Sequence, residues 1–86
     1  MASFRIEFAR SAAKDLRAID QQWIPKIVAV IEMLADEPRP GGCKKLVGSD
    51  FTYRIRIGDY RAVYEIQDAL LIVLVVRVRH RRDVYR

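Results

Sequence analysis

The sequence YRIRIGDYRAVY, residues 53–64, decides the fold, because two runs of alternating residues flank a Gly-Asp pair. Side chains alternate faces along a β-strand, and a type II′ turn prefers a two-residue loop with glycine first. The stretch therefore predicts a β-hairpin that turns at Gly58-Asp59. In that register Arg56 lies directly opposite Arg61, and Arg54 lies on the same face.

Three arginines on one face of a hairpin indicate a site for a polyanion. Like charges directly opposite each other destabilise a sheet, so a structural role alone is a weak reason to pair Arg56 with Arg61. A bound phosphate reverses the sign of that interaction, since guanidinium groups bind phosphate oxygens bidentately and stay charged at any working pH. The alternative is a solvated outer face with ordinary arginines, and three arginines in register favour the phosphate site.

The N-terminal part of the chain predicts a strand and a helix. Residues 3–8 alternate apolar and polar side chains, which is typical of a half-buried strand. Ser11 then offers an N-cap for a short helix over about residues 11–20. Gln21-Gln22 interrupts this helix.

A second, strongly amphipathic helix follows. Apolar residues recur at helical spacing over residues 24–35, and Pro25 lies in what becomes the first turn. The helix is predicted to end before Pro38, because the residue preceding a proline is pushed out of the α region. Trp23, between the two helices, is predicted to be a packing anchor.

The remaining chain predicts a sheet on which the two helices pack. Residues 39–50 form a glycine-containing loop, in which Cys43 is interpreted as a loop residue. Three strands are predicted after it, over residues 51–57, 60–66 and 70–76. The fold class is therefore α+β with the order β-α-α-β-β-β: a helical hairpin packed on a mostly antiparallel, four-stranded twisted sheet. Residues 1–86 are expected to form one domain.

Charge and composition limit the classes of function. The net charge is +5, and residues 54–86 hold eight arginines and no lysine against four acids. Such a one-sided basic surface attracts nucleic acid, and it attracts an acidic protein partner equally well. No signal peptide is visible, and the longest apolar run (residues 69–76) is too short to cross a bilayer. A single cysteine excludes a disulfide framework. A cytoplasmic protein without membrane insertion is expected.

The C-terminal ten residues, RVRHRRDVYR, add candidates for chemistry. Metal-free RNA cleavage needs a base for the 2′-hydroxyl proton, cations for the pentacovalent phosphate and a donor for the leaving 5′-oxygen. Among these residues only His80 titrates near neutral pH. Tyr85 could position the phosphate, stack on a base or act in proton transfer, and it could equally be a ring that covers the sheet edge. A solvated basic tail is the alternative for the whole segment.

Three stretches carry a family resemblance: residues 53–65, the PRPGGCKKL loop at residues 38–46, and VRHRRDVY at residues 78–85. They resemble the RelE branch of the RelE/ParE toxin superfamily, and the match covers essentially the whole chain. The resemblance implies the toxin of a type II toxin–antitoxin pair that enters the ribosomal A site and cleaves mRNA. Cleavage would proceed by 2′-hydroxyl attack, leaving a 2′,3′-cyclic phosphate and a 5′-hydroxyl, with no metal and no cofactor.

The resemblance also implies roles for residues. They carry over to Arg54 and Arg56, to Arg61, to Arg81 or its neighbour His80, and to Tyr85. The predicted catalytic residues are Arg61, His80, Arg81 and Tyr85, and the predicted RNA-binding residues are Lys44, Lys45, Arg54, Arg56, Arg79 and Arg82. In this reading His80 is the base and Arg61 with Arg81 holds the scissile phosphate. The sequence departs from the RelE branch in having Arg54 and Arg56 where that branch has lysines, which weakens a lysine-base mechanism.

The implied partners are the ribosome, mRNA and a cognate acidic antitoxin that forms a hetero-oligomer with the toxin. Two alternatives remain open at this stage. A ParE-like toxin shares the fold but inhibits DNA gyrase and is not a nuclease. A catalytically inactive RNA-binding module would use the same basic face for phosphate contacts alone.

Overall fold

The predicted hairpin forms around Gly58-Asp59 in the computed structural model, which describes residues 3–80 and 82. Strands β3 (Thr52–Ile57) and β4 (Tyr60–Gln67) pair antiparallel, with Arg56 opposite Arg61. Gly58 has a φ of +60, whereas the φ of Asp59 is not positive, and a type II′ turn requires this combination. An added Cβ at Gly58 would lie 3.3 Å from the Trp23 ring, so glycine is favoured there by space as well as by conformation.

Five strands form the sheet, in the order β1-β5-β4-β3-β2. The elements besides the hairpin are β1 (Arg5–Phe8), α1 (Arg10–Ala18), α2 (Ile24–Met33), β2 (Cys43–Lys45) and β5 (Ile72–His80), with short 3₁₀ turns at Gln21–Trp23 and Asp68–Leu70. β1 runs parallel to β5, and all other pairs are antiparallel. The predicted α+β class with two helices on one mostly antiparallel sheet is confirmed.

Three details of the prediction are corrected. The sheet has five strands rather than four, because residues inside the predicted 39–50 loop pair with β3 as β2, so Cys43 is a half-buried strand residue. The last strand begins at Ile72 because Leu71 adopts a left-handed conformation after a 3₁₀ turn. Ser11 is not the N-cap: Ala9 holds that position, and the Ser11 hydroxyl donates to the Val76 carbonyl at 2.7 Å.

Both helices cover the same face of the sheet. Ala12 of α1 and Ile27 and Ile31 of α2 are fully buried against inward-facing side chains of β3, β4 and β5. Trp23 packs against this core, as predicted. The opposite face carries no helix, and the hairpin arginines lie on it. No helix among the described residues is long and apolar enough to cross a bilayer.

A β-bulge in β5 sets which side chains reach the open face. Tyr64 pairs with Val75 whereas its neighbour Val63 pairs with Arg77, so Val76 is an extra residue without a partner on β4. One extra residue exchanges the two faces for everything that follows it. As a result Arg77 and Arg79 lie on the open face with Arg61, and Val78 and His80 lie on the helix-covered face.

Like β1, helix α1 forms hydrogen bonds with the backbone of β5 along its edge. β1 ends at Phe8, the backbone N–H of Ala9 donates to the Val75 carbonyl at 2.8 Å, and Ser11 and Asp15 of the helix make the following hydrogen bonds to β5. One Asp15 carboxylate oxygen accepts a hydrogen bond from the backbone N–H of Val78 at 3.0 Å. Helix side chains therefore satisfy backbone groups that β1 is too short to reach.

Candidate nucleic-acid interface

A cavity of about 270 Å³ opens on the helix-free face where β2, β3 and β4 lie side by side. Four cationic side chains line it, and we call them the basic cradle: Lys44, Arg54, Arg56 and Arg61. Gly42 supplies the remaining wall, and none of the described side chains lining this cavity is acidic. The prediction that Arg54, Arg56 and Arg61 share one face is confirmed. Such a concentration of fixed positive charge favours an anion with several oxygens, above all a phosphodiester.

The two arginines at the hairpin end are held differently. Arg61 is half-buried, and its Nε and Nη1 atoms are buried. Arg56 is exposed, and its Nε donates to the Gly58 carbonyl at 3.0 Å. Both guanidiniums are thus positioned before a ligand arrives, which reduces the entropy lost on binding.

Lys44 reaches the cradle because β2 pairs with β3, which places Lys44 directly opposite Arg54. Tyr64, on the helix-covered face of the sheet, holds the chain that leads into β2, because its hydroxyl donates to the Pro38 carbonyl at 2.9 Å. Burial raises the pKa of Tyr64, so this hydroxyl remains a protonated donor at neutral pH. The cradle's fourth cation therefore depends on a hydrogen bond from the buried side of the sheet.

A second anchor for the same segment is an exposed fork between Arg39 and Asp68. Nη1 and Nη2 of Arg39 donate to the two Asp68 carboxylate oxygens at 3.2 and 2.8 Å, and its Nε donates to the Tyr53 hydroxyl at 3.1 Å. The Arg39 guanidinium lowers the pKa of the Asp68 carboxyl. A carboxyl with a lowered folded-state pKa stabilises the fold at neutral pH, and that contribution is lost as the pH falls through the lowered pKa.

The basic face continues onto β5. Arg79 pairs with Arg61 and Arg77 pairs with Val63, so both arginines follow the cradle on the same face. Their guanidiniums also approach Asp15 of α1, at 3.7 Å for Arg79 Nε and 3.4 Å for Arg77 Nη1. The Asp15 side chain is only 12% exposed. Asp15 thus holds both the backbone and two arginines at the end of β5.

His80 does not join the cradle, contrary to the prediction that it converges on one phosphate with the arginine face. It pairs with Tyr60, and the two rings contact each other edge to face at 5.4 Å between centroids. Tyr60 also contacts Trp23, at 5.8 Å. The β5 bulge is the physical reason, because it directs His80 to the helix-covered face while Arg79 faces Arg61.

Of the other predicted site residues, two are described and do not line the cradle, and two lie outside the described residues. Lys45 follows Lys44 on β2, so its side chain lies on the face opposite to the cradle. Its Nζ approaches an Asp50 carboxylate oxygen at 3.9 Å. Arg82 is exposed, and its backbone N–H donates to His80 Nδ1 at 3.4 Å. Arg81 and Tyr85 lie outside the described residues. Within residues 3–80 and 82, no three His, Cys, Asp or Glu side chains lie together so as to hold a metal ion.

Asp15 is the residue of this region that the sequence reasoning missed. Its contacts join positions more than 60 residues apart, so no local pattern reveals them. One signal was present: Asp15 lies three residues after Ala12 and four before Ile19, within the apolar stripe of α1. An acid in such a stripe indicates a buried partner for a cation or a backbone donor.

Fold and site together define a small α+β protein with an open, arginine-rich sheet face suited to phosphate groups. The family model described as the ParE toxin of type II toxin–antitoxin systems matches residues 6–85. The chain belongs to this toxin family, and its relatives place it with the RelE-type members.

Two relatives and one solved structure illustrate the similarity. The putative toxin RelE1 of Methanocaldococcus jannaschii is 30% identical over 96% of each chain, and toxin RelG of Mycobacterium tuberculosis is 34% identical over 96% of this chain and 97% of its own. The M. tuberculosis toxin–antitoxin complex RelBE2 contains a chain that superimposes with a TM-score of 0.80 at 27% identity, covering 91% of this chain and 98% of that one. The protein is therefore a RelE-family toxin of the type II toxin–antitoxin class.

Proposed function

We propose that this toxin is a metal-independent endoribonuclease that cleaves mRNA in the A site of the translating ribosome. The observation that carries the proposal is the basic cradle: four cations around one cavity on a rigid sheet, with no described acid among the lining side chains. Membership of the RelE-type toxins supports the same reading. One domain over residues 1–86 would carry the whole activity.

The cradle suits the charge that develops during cleavage. Attack of the ribose 2′-hydroxyl on the neighbouring phosphorus forms a pentacovalent phosphate, and the 5′-oxygen then leaves to give a 2′,3′-cyclic phosphate and a 5′-hydroxyl. Fixed guanidiniums that match this added negative charge lower the barrier without needing to reorganise. We assign the scissile phosphate to Arg61 and Arg79, which face each other across β4 and β5, and the flanking RNA backbone to Lys44, Arg54 and Arg56.

Proton transfer requires a different group. An arginine pKa above about 12 makes the cradle residues poor bases at neutral pH. Arg81 and Tyr85 follow β5 in the sequence, and we propose them as the residues that contact the reacting oxygens, Tyr85 for proton transfer and Arg81 as a fixed cation. Lys45 and Arg82 would contribute to RNA attraction through their charge rather than through the cradle.

We also propose that a cognate acidic antitoxin neutralises the toxin in the cytoplasm as a hetero-oligomer. Related toxins have been solved as toxin–antitoxin complexes, among them RelBE2 of M. tuberculosis and RelB–RelE of Methanococcus jannaschii. The net charge of +5 and the open basic face suit an acidic segment that folds on binding. Such a segment would compete with RNA for the same guanidiniums.

A second candidate function is inhibition of DNA gyrase. The observation in its favour is the description of the matching family model, which is a ParE toxin. The cradle favours the nuclease, because a gyrase inhibitor has no evident need for a phosphate cavity on its sheet.

Primer-extension mapping of a translated mRNA after brief induction separates the two functions. We expect discrete cuts in register with the reading frame, absent from the same message when its start codon is removed. Intact message together with loss of gyrase supercoiling activity would instead establish the ParE-like function. RNA binding without any cut product would identify an inactive RNA-binding module.

A further inference from the structure

A second cavity, of about 370 Å³, lies on the side of the sheet that faces the helices, at the end of β5. Its walls come from the sheet and from the α1 region: Tyr60, Val78, Arg79 and His80 of the sheet, and Asp15, Ala18 and Ile19 of the α1 region. Small-molecule sites commonly measure about 300 to 1,000 Å³, so a cavity of this size suits one small planar group. The function proposed above uses Arg79 of this wall for the scissile phosphate and gives the rest of the cavity no role.

Two aromatic rings form a preorganised surface in this cavity. The Tyr60 ring contacts the His80 ring edge to face at 5.4 Å and the Trp23 ring in a tilted arrangement at 5.8 Å between centroids. Tyr60 and His80 are both half-buried, so each keeps a part of its surface accessible. Aromatic side chains held in this way are the usual stacking surface for unpaired bases.

The two cavities differ in charge, and each suits a different part of a nucleotide. The first cavity is lined by four cations and suits a phosphate. The second has one carboxylate, Asp15, and one guanidinium, Arg79, in its wall, and the two groups lie 3.7 Å apart. Their charges largely offset each other, so this cavity suits an uncharged base, whose amino and ring N–H groups can donate to the Asp15 carboxylate.

The basic face and the second cavity are formed by residues that are neighbours in the sequence. Tyr60 precedes Arg61 on β4, and His80 follows Arg79 on β5, with Tyr60 opposite His80 and Arg61 opposite Arg79. Neighbouring residues of a strand point to opposite faces, so the two rings lie behind the two guanidiniums at the end of the sheet. An RNA strand that passes around this end can place a phosphate on one face and a base on the other.

We propose that this cavity binds an unpaired nucleobase of the RNA whose phosphate lies in the basic cradle, with the base stacked on the His80 ring and the Tyr60 ring against its edge. The inference rests on the proposed ribonuclease function and adds a base-recognition subsite to it. His80 then contributes its ring to substrate binding and does not transfer a proton.

Two variants of one residue test the subsite. His80→Phe keeps an aromatic ring but cannot titrate, whereas His80→Ala removes the ring. Cleavage is measured on ribosomes programmed with four mRNAs that differ only in the nucleotide beside the cut, after equal melting temperatures confirm that both variants fold. Stacking contributes about 1–3 kcal/mol per base, so we expect His80→Ala to raise the apparent KM about tenfold and to reduce the preference among the four mRNAs.

His80→Phe restores a ring at this position and is expected to recover most of the apparent KM and base preference that His80→Ala loses. Ala18→Leu, which adds side-chain volume to the cavity wall at the end of α1, is expected to reproduce the effect of His80→Ala. Equal loss of maximal rate in both His80 variants, with loss of the limb near neutral pH, would identify His80 as a proton-transfer group and overturn the proposal. Wild-type behaviour of His80→Ala and Ala18→Leu would also overturn it, and a wild-type protein that cleaves no message would overturn the ribonuclease function as well.

Discussion

Replacing Arg61 with alanine is expected to lower the single-turnover rate of mRNA cleavage on programmed ribosomes by about 10²- to 10³-fold. Arg61 lines the cavity of the basic cradle and pairs with both Arg56 and Arg79, so its guanidinium lies at the centre of the basic face. Arg61→Lys keeps the charge but loses the bidentate fork, so an intermediate rate is expected.

Arg5→Ala is the matched control for this loss of one arginine. Arg5 is an exposed residue of β1, at the opposite edge of the sheet from β2, and its Nε forms a surface ion pair with Glu7 at 3.2 Å. Its removal changes the net charge by the same amount and should leave the cleavage rate nearly unchanged. Equal rates for Arg61→Ala and Arg5→Ala would show that general positive charge, rather than the cradle, supports the activity.

Replacing Ile31 with alanine is expected to destabilise the fold by about 2 to 5 kcal/mol. Ile31 is fully buried where α2 packs on the sheet, and its truncation leaves a cavity that the surrounding side chains fill only in part. Domains of this size are stable by about 5 to 15 kcal/mol, so this one change removes a large fraction of the free energy of unfolding. The midpoint of urea unfolding, with an unchanged slope, measures the effect.

Met33 provides the comparison within the same helix. Its side chain is 67% exposed, and Met33→Ala should shift the unfolding midpoint only slightly. A similar loss of stability for Met33→Ala and Ile31→Ala would contradict the packing of α2 described above. The two tests also separate folding from chemistry, because Arg61→Ala should retain the wild-type midpoint.

The hairpin and its arginine face could be predicted because they depend on local rules. Alternation and a Gly-Asp loop suffice to place Arg56 opposite Arg61, and the structure has this register. The parallel pairing of β1 with β5 and the short β2 depend on contacts between distant parts of the chain. A three-residue strand such as Cys43–Lys45 gives no usable alternation in the sequence.

The position of His80 could not be predicted, for a specific physical reason. Val76 is an extra residue in β5, and it exchanges the faces of every side chain that follows. Simple alternation from the buried Val73 and Val75 would have directed Arg77 and Arg79 toward the core. The bulge instead brings Arg79 beside Arg61 and carries His80 to the rings of the other face.

A 2′-deoxy substrate is the sharpest test of the proposal that this toxin cleaves mRNA by 2′-hydroxyl attack. Ribosomes are programmed with two mRNAs that differ only in the 2′-hydroxyl of the nucleotide preceding the mapped cut, and each is incubated with the purified toxin. We expect rapid cleavage of the ribose message, with a 2′,3′-cyclic phosphate end, and no cleavage of the 2′-deoxy message. Equal cleavage of both messages, or an intact ribose message, would contradict it.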